Sequence, residues 1–433
     1  MSARSIVWFR RDLRVADNPA LAEACAAGEV LPLFVVDPVF AAAGDARRAL
    51  LHDCLRALHA ASGGALVVRH GDPVDEIPAL ADAIDASTVY VSRDYTPYGR
   101  RRDAAVADAW RGPGRRPRGA GSPYAVDPGS VVKADGTPYA VFTPFSRRWR
   151  EHGWSLPTPA PVDPNWVAAP SDGLFDRPDL PFELPDPSES AVLDRWRSFR
   201  DDGLDRYDTR RDLPAVAGTS GLSPQLKYGV VHPRQLLAEL DDRIDGHRVF
   251  ASELAWRDFY ADVLFQRPDS AWGHWNPKYD AIRYDTGPDA QEKFRRWCEG
   301  RTGFPIVDAG MRQLSATGWM HNRVRMITAS FLVKDLHLPW TWGARHFLQH
   351  LLDGDLASNN HGWQWAAGSG TDAAPYFRVF NPTSQQAKFD PTGEYVHRWI
   401  PELDTASYPP PMVDHSAERL EALARYEAVK AAR

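Results

Sequence analysis

Four short β-branched apolar runs, Ser5–Phe9, Val30–Asp37, Ala65–Arg69 and Thr88–Ser92, alternate with amphipathic stretches at Asn18–Ala27, Ala46–Ala61, Val74–Asp85 and Tyr98–Trp110. Runs this short suit strands, and the stretches between them carry the period of a helix. Strand and helix taking turns at this spacing imply a parallel, doubly wound sheet, because parallel neighbours need a crossover of helix length. Residues 1–130 are therefore expected to form an α/β domain. Ligands of such sheets sit outside the carboxyl ends of the strands. Arg10, Asp37, His70 and Asp94 fall there.

The pattern then changes. Nine prolines between Leu156 and Pro187 interrupt any regular element, so residues 131–190 read as a connector crossing the surface. Beyond about Ala191 strand patterns stop. Helical ones follow, most clearly at Phe250–Gln266, Asp289–Cys298, Ile306–Ala316, Met320–Lys334 and Thr341–Leu352. An all-α domain over residues 191–433 is the expectation, and a chain of 433 residues has room for both domains.

Composition excludes more than it identifies. Apolar runs such as Val30–Val36 are far too short for a membrane span, and Arg4, Arg10 and Arg11 break up any leader peptide. Cys25, Cys54 and Cys298 are odd in number and form no CxxC pair, which argues for a reducing, cytoplasmic setting without disulfides or zinc. With a net charge of −6, binding to nucleic acid would need a local basic patch. The tryptophans say more. Ten of the 16 lie between Trp256 and Trp399, and Trp340, Trp342, Trp363 and Trp365 cluster beside a polar Asp/Asn loop. Core packing accounts for some of these, while ring-binding pockets and redox relays use the same residue.

Three segments carry chemistry. Thr219–Ser223, "TSGLS", offers hydroxyls and N–H groups ahead of a helix, which suits either an anion or a plain N-cap. Glu253, Trp256, Arg257 and Tyr260 share one helical face, fit either for a solvated edge or for a planar hydrogen-bonding ligand. Asn322, Arg325 and Met326 lie together on an apolar helix, where the Arg325 cation needs Asp353 or Asp355 as partner. Ala357 and Gln364 stand where a calcium loop would need carboxylates, so no metal is expected.

In their order, "WFRRDLR", "TSGLSP", "ELAWRDFY", "GRTGFPIVDAGMRQLSATGWMHNRVRMITASFLVKDL" and "DGDLASNNHGWQWAAGSGTDAAPYFRVFNP" closely resemble the photolyase/cryptochrome family over nearly the whole chain. The resemblance implies a reduced FAD bound in the helical domain. Tyr207, Thr219, Ser220, Gly221, Leu222 and Ser223 would hold its phosphates and ribitol. Phe250, Arg257, Asn322, Arg325, Asp353, Asp355 and Asn359 would surround the rest. It further implies a pyrimidine dimer flipped out of UV-damaged DNA, with Trp256 and Trp365 against its bases, Glu253 and Asn322 on its polar edge, and Arg211 and Arg323 on flanking phosphates. The excited flavin would pass an electron to the dimer and receive it back after the ring splits.

Three positions bear on the subfamily. Asn359 would face the flavin N5, where plant cryptochromes usually have Asp and animal ones Cys. An amide accepts there but takes up no proton at neutral pH. His321 is followed by Asn322 rather than by the second His of 6-4 photolyases, and Met326 matches the Met that dimer photolyases place against the lesion. The resemblance thus points to a class I cyclobutane dimer enzyme working as a monomer. Trp363 and Trp340 match the proximal and middle members of the family's electron relay. The distal position falls on Gly287, and Tyr284 is the nearest aromatic substitute. In "YTPYGRRRD", Gly99 replaces the Glu of folate-binding relatives. That favours an 8-hydroxy-5-deazaflavin antenna, held by Phe34, Asp37, Arg47 and Asp94, over methenyltetrahydrofolate. The competing reading is a cryptochrome signalling through a partner, which would call for a longer tail than residues 404–433.

Overall fold

A computed structural model of the chain describes residues 3–112, 115–373 and 377–431. Five parallel strands, β1 (Ala3–Phe9), β2 (Gly28–Val36), β3 (Val67–His70), β4 (Thr88–Val91) and β5 (Arg116–Gly119), lie in the order β3-β2-β1-β4-β5. The crossovers run through α1 (Pro19–Ala27), α2 (Asp45–Ala61), α3 (Pro73–Ala83) and α4 (Pro97–Ala109). Each expected strand and helix is present within a few residues. Helix starts are set by capping side chains: Asn18, Asp72 and Thr96 each accept a backbone N–H of the first turn, with Pro at N1 just behind them. The strand order reverses between β1 and β4, so a crevice opens at their carboxyl ends. Arg10 after β1 reaches Asp103 of α4 at 2.7 Å across it.

The connector is less featureless than expected. It contains α5 (Phe142–His152), whose Phe142, Phe145 and Trp149 are buried. After α5 the chain runs irregularly along the sheet domain. Val30 donates to Asn165 O at 2.9 Å, Val167 donates back to Val30 O at 2.8 Å, and Ser171 Oγ accepts from Val68 N at 2.9 Å.

The helical half is built on α6 (Asp245–Gln266), α7 (Asn322–Lys334), α8 (Trp340–His350) and α9 (Leu356–Ala367), and α10 (His415–Ala431) docks late on its flank. The two halves close tightly. Leu13 N donates to Tyr228 O at 3.1 Å, Arg14 donates to Gly229 O at 2.8 Å, and Arg234 pairs with buried Asp17 at 2.7 Å. Gly229 has φ +68°, and a Cβ there would strike the Arg11 backbone, so the junction requires glycine. Among the described residues no helix is long and apolar enough to cross a membrane.

Candidate functional site

The α6, α7 and α9 helices enclose a cavity of about 510 Å³. The α6 face written by i, i+3, i+4, i+7 spacing is one wall, and Glu253, Trp256, Arg257 and Tyr260 all reach the cavity together with Phe250. From α7 come Asn322, Arg323, Arg325 and Met326. From α9 and the turn before it come Asp353, Asp355, Ser358, Asn359, Trp363 and Trp365. Tyr207, Arg211, Ser220 and Ser223 close the remaining side.

Most of its charges are paired around the rim. Arg325 forms a bidentate pair with Asp353 at 2.8 and 3.1 Å and donates a third bond to Met320 O at 2.7 Å. Asp353 is therefore the partner that the apolar helix required. It also accepts from Ser223 Oγ at 2.6 Å. Asp355 meets Arg11 of the sheet domain at 2.7 Å and caps α9 through Ser358 N at 3.0 Å. Burial opposes its ionisation, but Arg11, Lys227 and these bonds together hold its carboxyl well below the ordinary range. Arg257 donates to Pro123 O at 2.7 Å and Leu226 O at 3.1 Å, with its guanidinium 4.8 Å above the Tyr124 ring. Lys227 escaped sequence reading and also lines the cavity. Its ammonium lies over Tyr228, with no carboxylate within ion-pair distance among the described residues. Burial first, and Arg11 next, push it down to about 7.

At the other end of the cavity Asn359 commits both amide hydrogens, to Ala344 O at 3.1 Å and Asn360 Oδ1 at 2.8 Å. Its Oδ1 is left as the acceptor it can offer. Trp363 presses edge-on against Phe347 and Trp297, and its buried Nε1 has no partner among the described residues. One face of Trp256 is covered by Phe142 of α5, parallel at 3.7 Å between ring centres. Glu253 pairs with Arg211, and Arg323 pairs with Asp212 at 2.6 Å while stacking 4.4 Å above Phe389. The two arginines expected on phosphates are thus already engaged at the rim.

Not every expected residue lines the cavity. In the TSGLS turn the hydroxyls do not cap: the helix Ser223–Tyr228 begins at Leu222 without a side-chain cap. Ser220 and Ser223 face the cavity, Leu222 is 1 % exposed in the core, and Thr219 and Gly221 stay beside it. Trp340 is buried at the start of α8, and Tyr284 is half-buried behind it. Phe34, Asp37 and Asp94 lie at or just beyond the carboxyl ends of the strands, whereas Arg47 at the start of α2 is set against Gly354 and accepts from Tyr228 Oη through its carbonyl at 2.8 Å, beside the helical half. Phe34 is core, Asp37 caps the turn after β2 and accepts from Tyr98, and Asp94 accepts from Thr96 N and Oγ1 at 3.0 and 2.9 Å. Gly99 abuts Asp94 so closely that a Cβ there would strike its carboxylate. Ala374–Tyr376 of the last motif lie outside the described residues.

A doubly wound parallel domain clamped onto a helical half, with a tryptophan-walled cavity of cationic excess in the latter, defines a flavoprotein of the photolyase/cryptochrome architecture. The chain belongs to the DNA photolyase family: residues 5–164 match the family domain described as DNA photolyase, and residues 250–407 match the FAD binding domain of DNA photolyase. A deoxyribodipyrimidine photo-lyase of Thermus thermophilus is 42 % identical over 94 % of this chain and 95 % of its own length. A bacterial class III photolyase from Agrobacterium tumefaciens superposes with a TM-score of 0.87 at 35 % identity, covering 99 % of this chain and 98 % of that one. An archaeal photolyase from Sulfolobus tokodaii, solved with two FAD molecules, gives 0.84 at 28 % identity over 98 % and 100 %.

Proposed function

We propose that this protein repairs cyclobutane pyrimidine dimers in DNA by light, as a deoxyribodipyrimidine photo-lyase with FAD in the helical cavity. One observation carries the reading. The cavity sets an amide acceptor (Asn359) and an ion pair (Arg325–Asp353) in one lining with Trp256, Met326, Trp365 and Glu253. Its donor set fits FAD. The Ser220 hydroxyl and the Lys227 ammonium, which has no carboxylate at ion-pair distance among the described residues, suit a diphosphate. A reduced flavin held there would supply the light-driven electron that opens the cyclobutane ring.

The chain's own residues do the positioning. Asn359 would offer its Oδ1 to a ring N–H without taking up a proton, and the Arg325 cation would favour an anionic ring. Trp256, backed by Phe142, offers one open face to a flipped base, and Trp365 offers another. Glu253 and Asn322 bond the polar edge of the dimer, while Arg211 and Arg323 turn from their carboxylates to flanking phosphates. The class I assignment rests on Asn359, Met326 and the His321–Asn322 pair. Trp363, Trp340 and Tyr284 would form the electron relay that leads to the cavity. In the sheet domain, the close approach of Gly99 to Asp94 leaves no room for a folate-type Glu, which supports 8-hydroxy-5-deazaflavin on Phe34, Asp37, Arg47 and Asp94.

The test is illumination of dimer-containing oligonucleotide with flavin-reduced protein. Loss of dimers in light and none in darkness is expected. Bound but unrepaired DNA would overturn the reading in favour of a photoreceptor.

A further inference from the structure

His274 lies outside the cavity, in the loop between the turns Pro268–Ala271 and Pro277–Ala281, and no motif picked it out. The structure places its ring between two members of the relay. The Tyr284 ring lies parallel to it, tilted by 10° at 6.4 Å, with Tyr284 Oη 3.4 Å from Nε2. On another side the Trp340 indole stands 6.1 Å away at 61°. Nδ1 is buried with no partner, so Tyr284 is the only polar group bonded to this ring among the described residues. Tyr284 is held in place by its neighbour: Asp285 N donates to His337 O at 2.9 Å, and its carboxylate takes Lys293 at 3.0 Å and Arg425 at 2.8 Å.

A phenol in this setting cannot give up an electron alone. Burial, then Asp280, pushes the Tyr284 hydroxyl above its ordinary range, so the phenol stays protonated until it is oxidised. An oxidised phenol that kept its proton would be a buried cation. Resting on the relay reading above, we propose that His274 is the proton acceptor that makes Tyr284 usable as terminal electron donor. The Tyr284 O–H bond breaks, the electron fills the hole on the Trp340 radical cation, and the proton moves to His274 Nε2. A neutral tyrosyl radical, a neutral indole and an imidazolium result. The oxidant is the Trp340 radical cation, generated through Trp363 by a one-electron photo-oxidant seated in the cavity. Burial lowers the basicity of His274 against the pull of Asp280, so the ring rests neutral and its lone pair is available.

The experiment is a laser flash on protein carrying oxidised flavin, with the radical identified by electron paramagnetic resonance, for the wild-type chain, His274→Gln and Tyr284→Phe. The wild type is expected to give a neutral tyrosyl radical that forms more slowly in deuterium oxide. His274→Gln keeps a polar side chain without a base, and should slow tyrosyl formation by roughly 100-fold, the scale of a lost general base, and remove the isotope effect. Unchanged tyrosyl kinetics and isotope effect in His274→Gln would overturn the inference. An unchanged radical in Tyr284→Phe would instead remove Tyr284 from the relay and leave His274 without a role. Nitrogen-15 NMR of the flavin-free wild-type chain gives an independent check: a resting proton on Nε2 rather than Nδ1 contradicts the proposal.

Discussion

Gly343 is the position where one methyl group tests the packing of the cavity wall. It lies on α8 facing α9, and a Cβ there would sit 2.5 and 2.6 Å from Cζ3 and Cζ2 of Trp363, and nearer still to Cη2. Ordinary contact begins near 3.4 Å, so the indole must move by about an ångström. Phe347 and Trp297, with ring centres at 5.0 and 6.0 Å, block the core side, and only the cavity side is open. Overpacking of this kind costs ~1–3 kcal/mol. Replacing a helical glycine by alanine returns about 1 kcal/mol of propensity. Gly343→Ala should therefore lower the stability of the flavin-free chain by about 1 kcal/mol, and an indole pushed into the cavity should weaken FAD binding about tenfold or more. In a Trp363→Phe background, where the indole is gone, the same alanine should stabilise. That reversal of sign is a coupling of ~1–3 kcal/mol between contacting residues. Urea midpoints followed by tryptophan fluorescence, together with FAD titrations, measure both effects. A Gly343→Ala chain more stable than wild type with unchanged FAD affinity would refute the packing argument.

Asp353→Asn leaves the Arg325 cation with Met320 O as its main partner and should cost ~3 kcal/mol along with most of the bound flavin; retention of FAD on gel filtration checks it. Lys227 is depressed to about 7 in the folded, flavin-free chain, whereas an unfolded lysine titrates near ~10.4. The unfolded state then binds more protons between those values, so stability should rise with pH across that window; Lys227→Met should flatten the slope in urea melts at stepped pH. Gly99→Ala should displace the Asp94 carboxylate and abolish uptake of a deazaflavin while leaving FAD binding intact, read from absorption spectra after reconstitution with each.

What the sequence disclosed follows from which interactions are local. The first four strands and their helices were legible because apolar period and Asx or Thr caps are written within a few residues. β5 was not. Its RPRG sequence has no apolar face, and it pairs only with β4, at the sheet edge where a proline is tolerated. α5 did carry a signal in Phe142, Phe145 and Trp149, but the prolines around it favoured a connector, and only packing on α6 shows what those aromatics are for. The α6 face was legible as a shared surface, yet not as a wall, since a helical period says which residues face together and not what they face.

The residues missed share one property: their meaning depends on partners far away in the chain. Arg11 reads as part of an opening strand motif, and becomes the clamp between domains only because Asp355 lies 2.7 Å from it, 344 positions later. Lys227 carries no signal of its own in the sequence; its depressed basicity comes from its place beside the cavity, near the Arg11 and Arg47 charges and over the Tyr228 ring. Asp212 is unremarkable in sequence, yet it already occupies Arg323, a group expected to meet DNA, so phosphate must displace a carboxylate at 2.6 Å to bind there. That exchange trades one anion for another on the same guanidinium and changes the number of charges brought to the rim very little. Affinity for undamaged duplex should therefore owe less to Arg323 than a bare arginine would give, and on the proposed function a preference for damaged DNA would have to come from the cavity, where Trp256 and Trp365 would meet a flipped dimer.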